Sequence, residues 1–349
     1  MRDQPKKRVL SRRRFIQQSA RGVGVIGVAV ASGSLARAAT PKAADKQANP
    51  YAYDLGRFRQ TDPKLIHYEE VGRLRCPHAE PRRLAAGPDD ALYVAAGNYV
   101  TALARDGTRG IEIALSGPAR CVTVAQDGTI YVGLRDHIEV FDRTAQRQAA
   151  WETPGKRTWF TGLAVGDSEL FATDAGHRVV LRYDRSGKLL SRLGQKDKER
   201  NIPGFIVPSP FFDVKLARDG LLRVANPGRH RVEAYTVEGD FEFAWGRASA
   251  AIDGFCGCCN PISLALLPDG RFVTCEKGLP RVKVYSEAGA FESVVAGPES
   301  FAENAKVCGA DDLDCNKGGL DAAVDSQGRI YILDLVAEDI RVMTRKSNA

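Results

Sequence analysis

The sequence predicts an all-β chain folded as a six-bladed β-propeller, and three observations carry that prediction. A tight turn built on Asp-Gly or a close equivalent joins two short alternating apolar segments, at Asp89-Asp90, Asp127-Gly128, Gly166-Asp167, Asp219-Gly220, Asp269-Gly270 and Gln327-Gly328. After most of these turns comes a third β-rich segment in which a basic residue precedes Val and an aromatic follows, as in Arg281-Val282-Lys283-Val284-Tyr285. The unit repeats six times, at about 40 to 58 residues each, with room for four strands. Repeats of that length and strand count read as propeller blades.

Taken in order, the chain begins with a leader over residues 1–38. Ser11-Arg12-Arg13-Arg14-Phe15-Ile16 precedes a Gly-rich apolar run from Gly22 to Ala31, and Ala36-Arg37-Ala38 offers a small-x-small cleavage site. The pattern resembles a twin-arginine signal peptide, which implies export to the periplasm or beyond. The apolar run is too short to span a bilayer, which needs about 20 residues, and no later stretch is apolar enough, so the mature chain is expected to have no membrane span. Residues 39–63 are polar and proline-spaced and read as a linker. The propeller is expected over residues 64–349.

Within it, the third strand is expected at His177-Arg178-Val179 through Tyr183, at His230-Arg231-Val232 through Tyr235, and at Ile340-Arg341-Val342, with looser copies at Tyr99-Val100 and His137 to Phe141. The last unit lacks an obvious fourth strand before Ala349. Leu65 to Val71, upstream of the first blade, is expected to supply it and so close the ring by pairing the two ends of the chain.

The Asp-Gly hairpin followed by His-Arg-Val-x-x-Tyr resembles the NHL repeat, and the region after residue 64 is similar as a whole to a six-bladed NHL- or TolB-like propeller. Glu139 departs from the pattern where Arg is usual. The resemblance speaks to fold more than to function, since that scaffold hosts lyases, hydrolases and binding modules. It also implies that His177 and His230, which occupy the repeat's histidine position, are structural.

Charge excludes one class of partner. The leader holds nine Lys or Arg against Asp3, so it alone is +8, and the remaining 41 basic and 42 acidic side chains nearly cancel. A near-neutral body gives no electrostatic case for nucleic acid.

Eight cysteines are the strongest chemical signal. Cys256, Cys258 and Cys259 fall within four residues, and Cys275, Cys308 and Cys315 follow within sixty. The inter-blade connections lengthen only from blade three onward, at Gln195–Pro210, Arg247–Pro261 and Pro298–Gly318, and on a propeller the cysteines would lie at one end of the ring, most of them in or beside the last two. Cys76 and Cys121 would lie across the ring, outside that group. Three chemistries remain open. Cys256, Cys258 or Cys259, Cys275 and Cys308 or Cys315 could ligate an iron–sulfur cluster or another thiolate-bound metal. The same residues could pair as disulfides in an oxidising compartment. Cys256-Gly257-Cys258-Cys259 could serve as a redox dithiol. Covalent c-type haem is excluded, because Asn260 stands where that motif needs His.

Weaker features read as structural. Asp312 to Gly318 has alternating oxygen ligands, but its Gly is one place late for a calcium loop and no Glu closes it. Lys196 to Arg200 is a solvated charge run, and no nucleophilic Ser or Cys stands with a His–Asp relay. The sequence therefore points to an exported propeller with a thiolate metal site on one face, acting in periplasmic electron transfer or docking a protein redox partner. A disulfide-stapled ligand- or protein-binding propeller is the alternative, and an NHL-type lyase a further one.

Overall fold

A computed structural model of the chain describes residues 55–307 and 318–347. The described residues form six four-stranded antiparallel sheets. One strand, β1 (Tyr68–Arg75), precedes the first full blade. Blade one is β2 (Pro81–Ala86), β3 (Leu92–Ala96), β4 (Tyr99–Leu103) and β5 (Arg109–Ala114), and blade two is β6 (Cys121–Val124), β7 (Ile130–Gly133), β8 (Ile138–Phe141) and β9 (Arg147–Trp151). Blade three follows as β10 (Phe160–Val165), β11 (Glu169–Asp174), β12 (Val179–Asp184) and β13 (Leu189–Leu193), and blade four as β14 (Val214–Leu216), β15 (Leu222–Asn226), β16 (Arg231–Tyr235) and β17 (Phe241–Trp245). Blade five is β18 (Ser263–Leu266), β19 (Phe272–Cys275), β20 (Val282–Tyr285) and β21 (Phe291–Ala296). Blade six is β22 (Leu320–Val324), β23 (Ile330–Asp334) and β24 (Asp339–Arg345), completed on its outer edge by β1.

The ring therefore closes by pairing the two ends of the chain, as the missing fourth strand required. The closing strand runs further than the sequence suggested. It starts at Tyr68, pairs Tyr68 with Arg345 and Arg75 with Asp339, and bulges between Glu70 and Gly72, which turns Val71 out to solvent. Leu65 instead ends a short 3-10 turn, Pro63–Leu65, capped by Asp62. The part of the expected linker before Leu55 lies outside the described residues.

The turns explain why these segments pair. In blades two, four and five an Asp carboxylate accepts the backbone N–H two residues on, from Asp127 to Thr129, Asp219 to Leu221 and Asp269 to Arg271. The following Gly takes a positive φ, +82° at Gly128 and +92° at Gly270, which a side chain would resist.

The core lies between blades, not within any one of them. Six apolar clusters each join neighbouring blades. The joint between blades six and one, with Leu84 and Val94 against Tyr331 and Leu333, is built like the other five. A propeller left open there would expose that whole face. On the face where each blade's second and third strands connect, the long connections are those entering blades four, five and six, as expected.

Candidate functional site

The axis is closed by a knot of buried charge. Arg83 of β2 donates to Asp321 of β22 at 2.7 Å and to the Thr161 carbonyl of β10, and it lies 3.6 Å from Asp213 at the head of blade four. Asp321 also accepts the Leu84 N–H, and Asp213 accepts the Leu264 N–H and the Lys215 ammonium. One guanidinium thus ties four blades together. Burial alone would raise the carboxyl pKa of Asp213, but Lys215 and Arg83 overrule it and hold the group below its ordinary value. Arg83 and Lys215 against Asp213 and Asp321 make the knot neutral.

Above the knot opens a cleft of about 580 Å³, and its lining is not neutral. Arg82, Arg120 and Arg157 line it with Trp159 and Phe211. Arg120 and Arg135 stack on the Trp159 ring, 5.0 and 4.9 Å from its centroid. None of Arg82, Arg120, Arg135 and Arg157 forms an ion pair with a carboxylate among the described residues, and the buried Nε of Arg120 has no hydrogen-bond partner. Burial, and then the like charges of Arg82 and Arg135, push Arg120 below the ordinary arginine value. A cluster of cations that disfavour one another across a semi-enclosed cleft is an anion site by electrostatics.

Next to the cleft, the connection into blade five carries three of the cysteines. Its shape is imposed from below by buried charges of blade five. Glu276, just past β19, accepts from Arg281 at 2.7 Å and lies 2.8 Å from the Lys283 ammonium, all three essentially inaccessible to water. Arg281 also donates to the Ala250 and Gly254 carbonyls, and Lys283 to those of Ile252 and Gly254. The Cys256 N–H donates to Glu276 at 3.0 Å. Asn260 donates to the Cys256 and Lys277 carbonyls and accepts the Lys277 N–H. From blade four, His230 Nε2 donates to the Gly257 carbonyl at 2.6 Å. The Lys277 ammonium, 3.1 Å from Ser209 Oγ and 4.2 Å from the Phe211 ring centroid, links the loop to the cleft wall.

These charges divide the proton affinities. Burial works against the Glu276 carboxylate, yet Lys283 and Arg281 keep it ionised below its ordinary pKa. Burial, with repulsion from Arg281 across the shared carboxylate, pushes Lys283 down to about 8. Burial raises Cys256 against the pull of Arg281.

The expected thiol centre is not assembled among the described residues. Cys256 is half-buried, Cys258 exposed and Cys259 buried in the loop, with Cys258 and Cys259 Sγ 3.4 Å apart. Cys275 ends β19 fully buried, where its charged surroundings are Asp321, Arg83 and Asp213 of the axial knot. Cys121 opens β6 against the same Arg83 and Asp213, and burial pushes its thiol up to about 12. Cys275 therefore shares its surroundings with Cys121, which the sequence placed apart from it. The physical reason is that inner strands of all blades converge on one axis. Cys76 lies half-buried near Glu338 and Asp339, and burial raises its thiol to about 12. Among the described residues no three His, Cys, Asp or Glu side chains gather as a metal-holding group, and no disulfide joins any two of the six described cysteines. An iron–sulfur cluster needs four thiolates around one point, and two of the six candidate thiols fall outside the described residues. Cys308, Cys315 and the calcium-like stretch at Asp312 lie outside the described residues.

His177 is held as the repeat implied, its Nδ1 2.6 Å from Asp174, whose other oxygen accepts the N–H groups of Trp159, Gly176 and His177. The sequence reading missed Arg83, Asp213 and Asp321, which are distant in the chain and meet only at the axis. It also missed the cleft arginines and Glu276. Glu276 had a signal: it stands where the second strand ends in Asp174, Asn226 and Asp334 in other blades, and only there does the capping acid gain a methylene and two cations.

No family model matches the chain, and no curated protein matches it. Solved structures do. A streptogramin B lyase structure superposes with a TM-score of 0.52 at 13% identity, over 80% of this chain and 97% of that one. Virginiamycin B lyase from Staphylococcus aureus gives 0.54 at 14%, over 80% and 100%. A chain of the mitotic checkpoint complex gives 0.52 at 12%, over 92% and 99%. At such identities the likeness is one of fold, and it agrees with a propeller.

Proposed function

We propose that the protein is an exported binding propeller whose axial cleft takes a small anionic ligand with a flat apolar portion, in the compartment that the leader around Arg12 and Arg13 addresses. The observation that carries the proposal is the arginine cluster around Trp159, which has no carboxylate ion-pair partner among the described residues. Guanidinium groups match carboxylate and phosphate oxygens in planar, two-point geometry, and Trp159 and Phe211 supply faces for the apolar part. The fold likeness to lyases adds no argument for turnover.

Phenyl phosphate serves as the probe, with Trp159 fluorescence and calorimetry as readouts. Saturable binding that weakens with salt is expected. Arg120→Ala removes a charge-assisted contact worth roughly 1.5–3 kcal/mol, so affinity falls roughly 10- to 150-fold. Absence of binding, or equal binding by the Arg120→Ala variant, overturns the proposal.

A further inference from the structure

We propose that Cys258 and Cys259 form a two-electron dithiol–disulfide couple, closing on each other within the loop when the protein meets a small-molecule or protein disulfide. Four observations carry it. The two sulfurs are already 3.4 Å apart, against about 2.05 Å in a disulfide. Their exposure is divided, Cys258 at the surface and Cys259 only 2% accessible, so an incoming disulfide can reach the first while the second waits beside it. The loop that holds them is fixed on three sides, by Glu276 on the Cys256 N–H, by Asn260 on the Cys256 and Lys277 carbonyls, and by His230 on Gly257. That bracing limits how far the sulfurs can separate. Finally, Cys275 is fully buried at the end of β19, in the charged surroundings of the axial knot.

The chemistry balances as two exchanges. The Cys258 thiolate attacks one sulfur of RS–SR, forming a Cys258–SR mixed disulfide and releasing RS⁻. Cys259, losing its proton to solvent, then attacks Cys258 Sγ. The Cys258–Cys259 bond forms, the bond to SR breaks and the second RS⁻ leaves. The protein loses two electrons and two protons, and the disulfide becomes two thiols. Cys256, which follows Phe255 and whose N–H is fixed to Glu276, is the bystander.

The test uses the full chain equilibrated in a series of glutathione redox buffers, quenched with acid, alkylated and digested with trypsin. The fragment spanning residues 248–271 contains all three loop cysteines and no other. The expected oxidised product has lost two hydrogens, carries one alkyl group on Cys256 and returns to three on reduction. In Cys259→Ser the reaction stops at a glutathione adduct on Cys258. In Cys258→Ser the fragment that has lost two hydrogens disappears. Cys256→Ser keeps the couple. The proposal is overturned if wild-type protein accumulates the glutathione adduct as Cys259→Ser does, if Cys256 is found in the oxidised pair, or if all three thiols alkylate at every ratio.

Discussion

Replacing Glu276 by Gln tests whether buried charge in blade five sets the conformation of the cysteine loop. The carboxylate is inaccessible to water and faces two cations, Arg281 at 2.7 Å and Lys283 at 2.8 Å. The amide keeps the volume and one acceptor for the Cys256 N–H but leaves both cations uncompensated. Removing one partner from a buried ion cluster costs about 3–5 kcal/mol. The cost is not the intrinsic worth of the cluster, because much of it is the penalty on the charges left behind. Lys283, already pushed down to about 8, can shed its proton and recover part of that penalty, so a value near the lower bound is expected. Lys283→Met alone should cost less, about 1 kcal/mol for the lost bonds to the Ile252 and Gly254 carbonyls. The double variant should be more stable than the sum of the two singles implies, by at least about 1 kcal/mol. Equilibrium urea unfolding followed by tryptophan fluorescence reads this, since Trp245 of blade four packs on Tyr285 of blade five, 4.8 Å between ring centroids. Tryptic cleavage after the exposed Arg247 reports loosening of the loop itself. A cost below about 1 kcal/mol for Glu276→Gln, or strict additivity in the double variant, would refute the reasoning and make the cluster incidental to the loop.

Three further outcomes are expected. Deleting residues 39–54 should leave the unfolding midpoint unchanged, whereas deletion through Arg75 should lower it sharply, because the second removes β1 and leaves β24 an open edge at the ring's joint; equal midpoints would show that closure needs no N-terminal strand. Lys283, whose folded pKa lies below its ordinary 10.5, contributes stability that grows as pH rises from about 8 towards 10.5, because the unfolded chain binds the extra proton there, whereas the raised thiols of Cys76 and Cys121 act in the opposite sense from about pH 9. That contribution is read as the stability of wild type minus that of Lys283→Met: the difference should rise by at most about 1.4 kcal/mol per pH unit over this window, and a difference that is flat or falling would contradict the assignment. On the acid side, Glu276 holds its proton less readily when folded, so its contribution is complete above its ordinary 4.5 and is lost as pH falls below that value.

The blade count, the strand content of each unit and closure by an N-terminal strand were all legible in the chain. Each depends on interactions a few residues apart: an Asp carboxylate on the N–H two positions on, a Gly at positive φ, an alternating apolar pattern that must face a neighbour. The missing fourth strand of blade six was legible too, because a four-strand repeat makes an absence countable. The long connections entering blades four, five and six could be read for the same reason. What the chain order hid is whatever meets at the axis or across a blade boundary. Arg83, Asp213 and Asp321 are separated by more than a hundred residues each and form one knot only because six inner strands converge. The same convergence set Cys275 beside the surroundings of Cys121, while local density alone grouped it with Cys256, Cys258 and Cys259. The cleft arginines lie in different blades, and no spacing rule links Arg82, Arg120 and Arg157. Local periodicity determined the architecture because each blade repeats the same short-range physics. The candidate site was decided by tertiary structure, because its charges come from different repeats and acquire a common environment only when the ring is closed.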